Sequence, residues 1–201
     1  MRVAMLGGTF DPVHIGHLIG AQAAWEQLEL DKVLLVPAAS PPHKHQRNIS
    51  SAGHRVAMLE AAIAGDERFG LYLEELNRPG RSYTVDTLRE YRERFMADGG
   101  ELFFILGTDN LLEFDSWKDW REICNLARIA VLYRQGYDTD PGELEQQLPG
   151  IDVCWVDMPL IGVSATQVRG ARAAGRSVRW LVTAAVENYI DKHGLYAPAP
   201  S

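Results

Sequence analysis

Gly7-Gly8-Thr9-Phe10-Asp11-Pro12-Val13-His14-Ile15-Gly16-His17 follows the apolar run Arg2-Val3-Ala4-Met5-Leu6, so a β-prone segment gives way to paired glycines and then to a helical start. A junction of this kind binds phosphate. Free backbone N–H groups and the positive end of the dipole at a helix N-terminus favour an anion, and glycines ahead of it let the ligand approach the main chain. His14 and His17 are three apart, so a helix beginning near Ile15 sets both imidazoles on one face of its first turn, where they can share one ligand. Imidazole donates a directional hydrogen bond at neutral pH and can carry charge there, which suits a phosphoryl group gaining negative charge. Capping or packing histidines are the plainer alternative. A zinc pair would need more ligands, for which His43 and His45 are the candidates. The dinucleotide fingerprint G-x-G-x-x-G is absent, and Asp31 stands at the start of the next predicted strand, which disfavours hydride transfer.

Outward from this stretch, β-prone apolar runs alternate with helical periodicity. Strands are predicted at 2–7, 32–36, 69–73, 102–106, 129–133 and 152–156, and helices at 16–29, 51–64, 84–97, 164–174 and 180–192. That alternation predicts an α/β fold, a Rossmann-like doubly wound parallel sheet with helices on both faces, in one domain over 1–201 whose C-terminal helical part spans about 164–194. Ligands of such sheets bind at the carboxyl ends of the strands. The glycine stretch, Pro41-Pro42-His43-Lys44 and Gly107-Thr108-Asp109 all fall there, and 135–150 reads as a loop with a short helix.

The chain of 201 residues is 46% hydrophobic and 23% charged, which suffices for a substantial core and argues against disorder. No apolar run approaches a bilayer span and the N-terminus enters a strand directly, so the expected setting is cytoplasmic. Cys124 and Cys154 sit in apolar stretches and are expected as reduced core residues. A formal net charge of −7 opposes general nucleic-acid binding. Cationic groups are nevertheless concentrated. Five of the six histidines (His14, His17, His43, His45, His54) precede residue 55, and Arg169, Arg172, Arg176 and Arg179 follow one another without an intervening acid, a pattern suited to a small polyanion in a cleft. The later arginines could equally form a solvated helix face.

Four further segments carry chemistry. The prolines before His43-Lys44 stiffen the stem of a compact cation. Ser82-Tyr83-Thr84-Val85-Asp86-Thr87-Leu88 opens an amphipathic helix capped by Ser82 or Thr84, with Leu88, Tyr91 and Phe95 on its buried side. Asp109 follows an apolar strand, where a carboxylate can accept two ribose hydroxyls or cap a helix; Trp117 offers a ring for stacking or packing. Ser164-Ala165-Thr166-Gln167 is a capping box at another helix start, and Arg169 follows one turn on with a planar fork of donors.

Taken in order, these motifs resemble the nucleotidylyltransferase superfamily with its His-x-Gly-His motif, and within it the bacterial nicotinate-nucleotide adenylyltransferase family; the likeness runs from Gly7 to Gly194-Leu195-Tyr196. The resemblance implies AMP transfer from ATP to nicotinic acid mononucleotide. It implies His14, His17, Lys44 and Arg169 as catalytic residues. Gly8, Thr9, Phe10, His17, Gly107, Asp109, Ser164, Thr166 and Arg169 would bind ATP, and Thr9, Lys44, Thr84, Trp117 and Arg134 the mononucleotide. The resemblance implies that backbone groups near Thr84, in the Ser-Tyr-Thr segment, hold the pyridine carboxylate, and it favours Trp117 as the ring's stacking partner, leaving Trp120 a structural role. Mg²⁺ is expected to arrive with ATP and not at a protein metal site, and self-association is compatible with the family. Two positions depart from the pattern: Ala38 and Ala39 follow Pro37 where an amide side chain is common, and Arg134-Gln135-Gly136 replaces Arg-Pro-Gly.

Overall fold

The computed structural model describes residues 1–39, 49–78, 80, 82–134, 142 and 150–197. Six strands form one parallel sheet: β1 (Arg2–Gly8), β2 (Lys32–Pro37), β3 (Phe69–Leu71), β4 (Glu101–Gly107), β5 (Arg128–Arg134) and β6 (Val153–Met158), in the order β3-β2-β1-β4-β5-β6. A parallel sheet is covered on both faces, which is why its strands read as continuous apolar runs. Ala4, Leu6, Leu35, Phe103, Ile105 and Ala130 face one core, closed by α1 (Ile15–Gln27), α2 (Ala52–Ile63), α7 (Ala165–Ala173) and α8 (Ala184–Lys192). Val3, Met5, Leu34, Leu102, Phe104 and Val131 face the other, against α4 (Thr84–Phe95), α5 (Thr108–Leu112) and α6 (Trp120–Leu126). The order of winding reverses between β1 and β4. Their carboxyl ends therefore flank the crevice where such sheets take ligands.

The expected strands are all present, with shifted ends. Several helical expectations need correction. The first helix stops at Gln27, not 29, and Glu29 takes a left-handed φ of 49°. Residues 180–183 are not helical: Trp180 has a φ of 71°, and α8 starts after Thr183, whose hydroxyl accepts from the Val186 N–H at 3.3 Å. Leu88 and Tyr91 are buried as expected, but Phe95 at the end of α4 is half exposed. Cys124 and Cys154 are free and only half-buried at the edges of the cores. The short helices α3 (Glu74–Asn77), α5 and α6 and a 3₁₀ turn at Phe114–Ser116 add to the expected elements. Most of 135–150 lies outside the described residues. Among the described residues no helix is long and apolar enough to cross a membrane.

A polar tie joins α3 to α4. Thr87 Oγ1 donates to the Glu75 carboxylate at 2.7 Å, Ser82 Oγ to the Glu75 carbonyl at 3.2 Å, and Arg78 reaches both Thr87 (3.2 Å) and Glu90 (2.6 Å). Burial raises the Glu75 carboxyl above its ordinary 4.5, against the opposing pull of Thr87 and Arg78. Folding thus favours the protonated form, and that contribution is present below the ordinary value and lost as pH rises through the raised one. Glu75→Gln, which keeps an acceptor for Thr87, is expected to raise Tm relative to the parent at pH 8. The gap should close as the pH is lowered through the ordinary glutamate range; equal melting curves at both ends of a calorimetric pH series would contradict this.

Candidate active site

The loop leaving β1 is shaped by what its glycines lack. Phe10 takes a left-handed φ of 49° and folds its ring back onto Gly8, where a Cβ would lie 2.9–3.1 Å from three ring carbons. The buried Phe10 ring meets His17 edge-on, centroids 4.9 Å apart. α1 begins at Ile15 with His14 as its N-cap. The His14 backbone N–H donates to His17 Nδ1 at 3.2 Å, so the neutral His17 ring carries its proton on Nε2. The two imidazoles stack with centroids 3.7 Å apart. A Cβ on Gly16 would meet His14 Nδ1 and Cε1 at 3.2 Å, so the glycine between the histidines seats the first of them.

Across the crevice stands the start of α7. Ser164 Oγ accepts from the Gln167 N–H at 3.2 Å while Gln167 Oε1 accepts from the Ser164 N–H at 2.8 Å, completing the expected capping box. Arg169 reaches back from the next turn, donating to the Asp11 carbonyl at 2.6 Å and to Thr166 Oγ1 at 3.3 Å. Thr9, Phe10, Asp11, His14, His17, Ile49, Ser164, Ala165, Thr166 and Arg169 line one cavity of about 420 Å³. The starts of α1 and α7 border it, and Ile49 on its wall precedes the start of α2. Among the described α-helices these three alone carry no acidic side chain in the first turn. An anion at the starts of α1 and α7 meets helix dipoles with no acidic side chain in their own first turns.

The arginine series does not gather in the cavity as a cluster. Arg172 pairs with Asp191 at 2.6 Å and Arg179 lies over the Trp180 ring, so Arg169 alone of the four lines the cavity. His54 is also elsewhere, with Nδ1 3.0 Å from the Tyr189 hydroxyl between α2 and α8. His43, Lys44 and His45 lie outside the described residues, as does the side chain of Arg134 at the end of β5.

A second group of expected residues stands on the opposite face of the sheet. Gly107 N-caps α5, and Asp109 is exposed in its first turn rather than serving as the cap. Thr84 is the first residue of α4, but Tyr83 is the N-cap and no side chain caps it; Ser82 instead bonds the Glu75 carbonyl. Trp117 is half-buried, its ring 6.0 Å from Phe104 and 5.5 Å from Phe114. Lys118 links it to the start of α4, with Nζ 3.2 Å from Asp86 and 4.5 Å from the Tyr83 ring centre. Trp120 is likewise half-buried and lies under Arg121. The paired glycines join the two regions: a Cβ on Gly7 would point at the Phe104 ring, 3.7 Å away, whereas one on Gly8 would strike Phe10.

Buried polar groups that sequence reading passed over hold the loop. Arg55, only 2% exposed, donates to the Thr9 carbonyl at 2.8 Å and the Ser50 carbonyl at 3.3 Å. Burial lowers its pKa while the Asp11 charge acts the other way. Asp11 accepts from the Tyr196 hydroxyl at 2.6 Å and from the Ser50 N–H at 3.2 Å. The one sequence signal for Arg55 is a cation within the apolar helical pattern of Val56, Met58 and Leu59.

The cytidylyltransferase-like family model matches residues 5–171. A Thermus thermophilus protein named "Probable nicotinate-nucleotide adenylyltransferase" is 45% identical over 196 residues, covering 98% of this chain and all of that one. The chain belongs to the nicotinate-nucleotide adenylyltransferase family. A Pseudomonas fluorescens member of the same name is 42% identical over 97% of each chain. The fold is shared with the solved nicotinic acid mononucleotide adenylyltransferase of Plasmodium falciparum (TM-score 0.77, 16% identity, 97% of this chain and 96% of that one). It is also shared with a Vibrio parahaemolyticus structure titled a putative nicotinate-nucleotide adenylyltransferase (TM-score 0.68, 20% identity, 99% and 98%).

Gly16 gives this candidate site a sharp test. His14 is confined between Gly16 and the His17 ring, so a methyl group at position 16 must displace the imidazole by a few tenths of an ångström. Gly16→Ala is expected to fold with little loss of Tm and to lower kcat on the order of tenfold, a positional effect. Unchanged turnover in the folded variant would show that the His14 position is not critical.

Proposed function

We propose that this chain transfers AMP from ATP to nicotinic acid mononucleotide, releasing pyrophosphate and forming nicotinic acid adenine dinucleotide, by direct in-line attack with no covalent enzyme intermediate. The observation that carries this reading is the facing of two stacked imidazoles and one guanidinium across a crevice bordered by acid-free helix starts. Full-length identity to proteins named for this activity supports the choice of substrates.

A phosphate oxygen of the mononucleotide attacks the α-phosphorus of ATP, forming one P–O bond as the bond to the β-phosphate oxygen breaks and its electron pair leaves with pyrophosphate. Catalysis of such a step consists of alignment and charge neutralisation. His17, with its proton on Nε2, donates to the transferring phosphoryl group, beside His14. Arg169 and Lys44 hold the phosphate chain. Ser164 and Thr166 at the start of α7, and Gly8, Thr9 and Phe10 after β1, frame the triphosphate, while Gly107 and Asp109 take the adenosine ribose. Thr84 and Trp117 receive the pyridine, with Thr9, Lys44 and Arg134 at the mononucleotide phosphate. The cysteines offer no rival nucleophile: both are free, half-buried, and pushed by burial toward the thiol form.

The donor set of the crevice suits anions. Among the described residues Asp11 is its one acidic lining residue, and both of its carboxylate oxygens are engaged by Tyr196 and Ser50. We therefore assign Mg²⁺ to the substrate, as MgATP, where it neutralises phosphate charge. Residues 1–201 act as one nucleotidylyltransferase unit, in the cytoplasm where its nucleotide substrates are found, with no nucleic-acid or membrane partner.

The test is pyrophosphate release from MgATP with nicotinic acid mononucleotide, nicotinamide mononucleotide and phosphopantetheine offered separately. Release with the acid form alone is expected. A preference for phosphopantetheine would overturn the acceptor, and ATP binding without release in all three would indicate a nucleotide sensor. In the active assay His17→Ala should lower kcat on the order of 10²–10³-fold with a smaller change in KM, the pattern of lost transition-state stabilisation. Full turnover would remove His17 from the mechanism.

A further inference from the structure

We propose that Tyr196, beyond the end of α8, is a positioning residue for the transfer: through Asp11 its hydroxyl fixes the β1–α1 loop and the Arg169 guanidinium in their reacting arrangement. The inference rests on the reaction proposed above.

The chain after α8 turns through Gly194 and then Tyr196, both at left-handed φ (61° and 58°), with the Leu195 N–H closing onto the Ile190 carbonyl at 3.0 Å. A non-glycine residue keeps that conformation only where its surroundings hold it. At Tyr196 they do. The hydroxyl donates to Asp11 Oδ1 at 2.6 Å and accepts from Ser50 Oγ at 3.2 Å, while the Ser50 N–H donates to Asp11 Oδ2 at 3.2 Å. Asp11 is 2% exposed, so these donors stand in for the water its carboxylate has lost. Burial and the neighbouring Asp11 push the phenol far above its ordinary value, so it remains a donor across the working pH range.

Asp11 also faces the crevice. Its carbonyl receives Arg169 Nη1 at 2.6 Å, so a residue pinned at its side chain by Tyr196 orients, at its main chain, the arginine assigned to the phosphate chain. Arg55 holds the adjoining Thr9 carbonyl from α2. Tyr196 itself is not among the residues lining the cavity, so its effect passes through Asp11.

The test is a double-mutant cycle of Tyr196→Phe and Asp11→Asn on the full chain, read as kcat and KM for ATP with Tm followed in parallel. Tyr196→Phe keeps the ring and its packing, so a merely structural role would leave kcat intact in the folded protein. Positioning predicts a fall in kcat on the order of tenfold, with KM changed less, and no further fall when Tyr196→Phe is added to Asp11→Asn. If Asp11→Asn does not fold, the cycle is run with Ser50→Ala, whose effect should vanish in the Tyr196→Phe background. Wild-type kcat in Tyr196→Phe, or losses that multiply in the cycle, would overturn the proposal. The parent rate in the same assay reports separately on the assigned reaction, because the inference is read from ratios to it.

Discussion

The contact on which the site depends is the seating of His14 against the bare Cα of Gly16. Two imidazoles stacked 3.7 Å apart on one helical turn leave the first of them nowhere to go but onto the backbone behind it. Any side chain at position 16 would fill that space. Phe10 lies on Gly8 in the same way and presents its edge to His17, so the histidine pair is held from both sides by aromatic packing against glycine. The glycines thus allow more than close approach of a ligand: they make room for the protein's own rings. A hydrogen bond from the His14 N–H then selects the His17 tautomer, turning a packing arrangement into a donor of defined direction.

Electrostatics adds to this by omission. The chain carries a formal charge of −7, yet no acidic side chain occupies the first turn of α1 or α7, the helices whose starts border the crevice. The acid that does line it, Asp11, has both carboxylate oxygens engaged by protein donors. An acidic chain can still offer a crevice suited to anions, because helix dipoles, imidazoles and Arg169 act at contact range, whereas the remaining charge is spread over the surface and screened.

Much of this was legible in the sequence, and the reasons are physical. The central strands are apolar runs covered on both faces and so were visible, and the edge strands, three-residue β3 and half-exposed β6, were still found from their β-prone residues; α1, α2, α4 and α7 begin within one residue of their expected starts. The histidine pair and the capping box were readable because their partners lie within one helical turn. Elements of four to seven residues, α3, α5 and α6, lack enough periodicity to stand out. Trp180 interrupts an apparently helical segment by taking a left-handed φ, which no local propensity announces. Asp11 and Tyr196 are 185 residues apart, and Arg55 reaches Thr9 across 46. Contacts of that range are products of the fold, invisible to any reading that moves along the chain.

The paired glycines also stand between the two groups of residues that the proposed reaction assigns to its substrates. Alternation along a strand points Gly7 toward Phe104, and through it Trp117, and Gly8 toward Phe10 and His17. At the reversal of winding, where β1 and β4 lie side by side, the bare end of β1 is covered by two rings, Phe104 over Gly7 and Phe10 over Gly8. In the reaction proposed above, the pyridine end of the acceptor lies on the Phe104–Trp117 side of this strand end and its phosphate on the Phe10–His17 side.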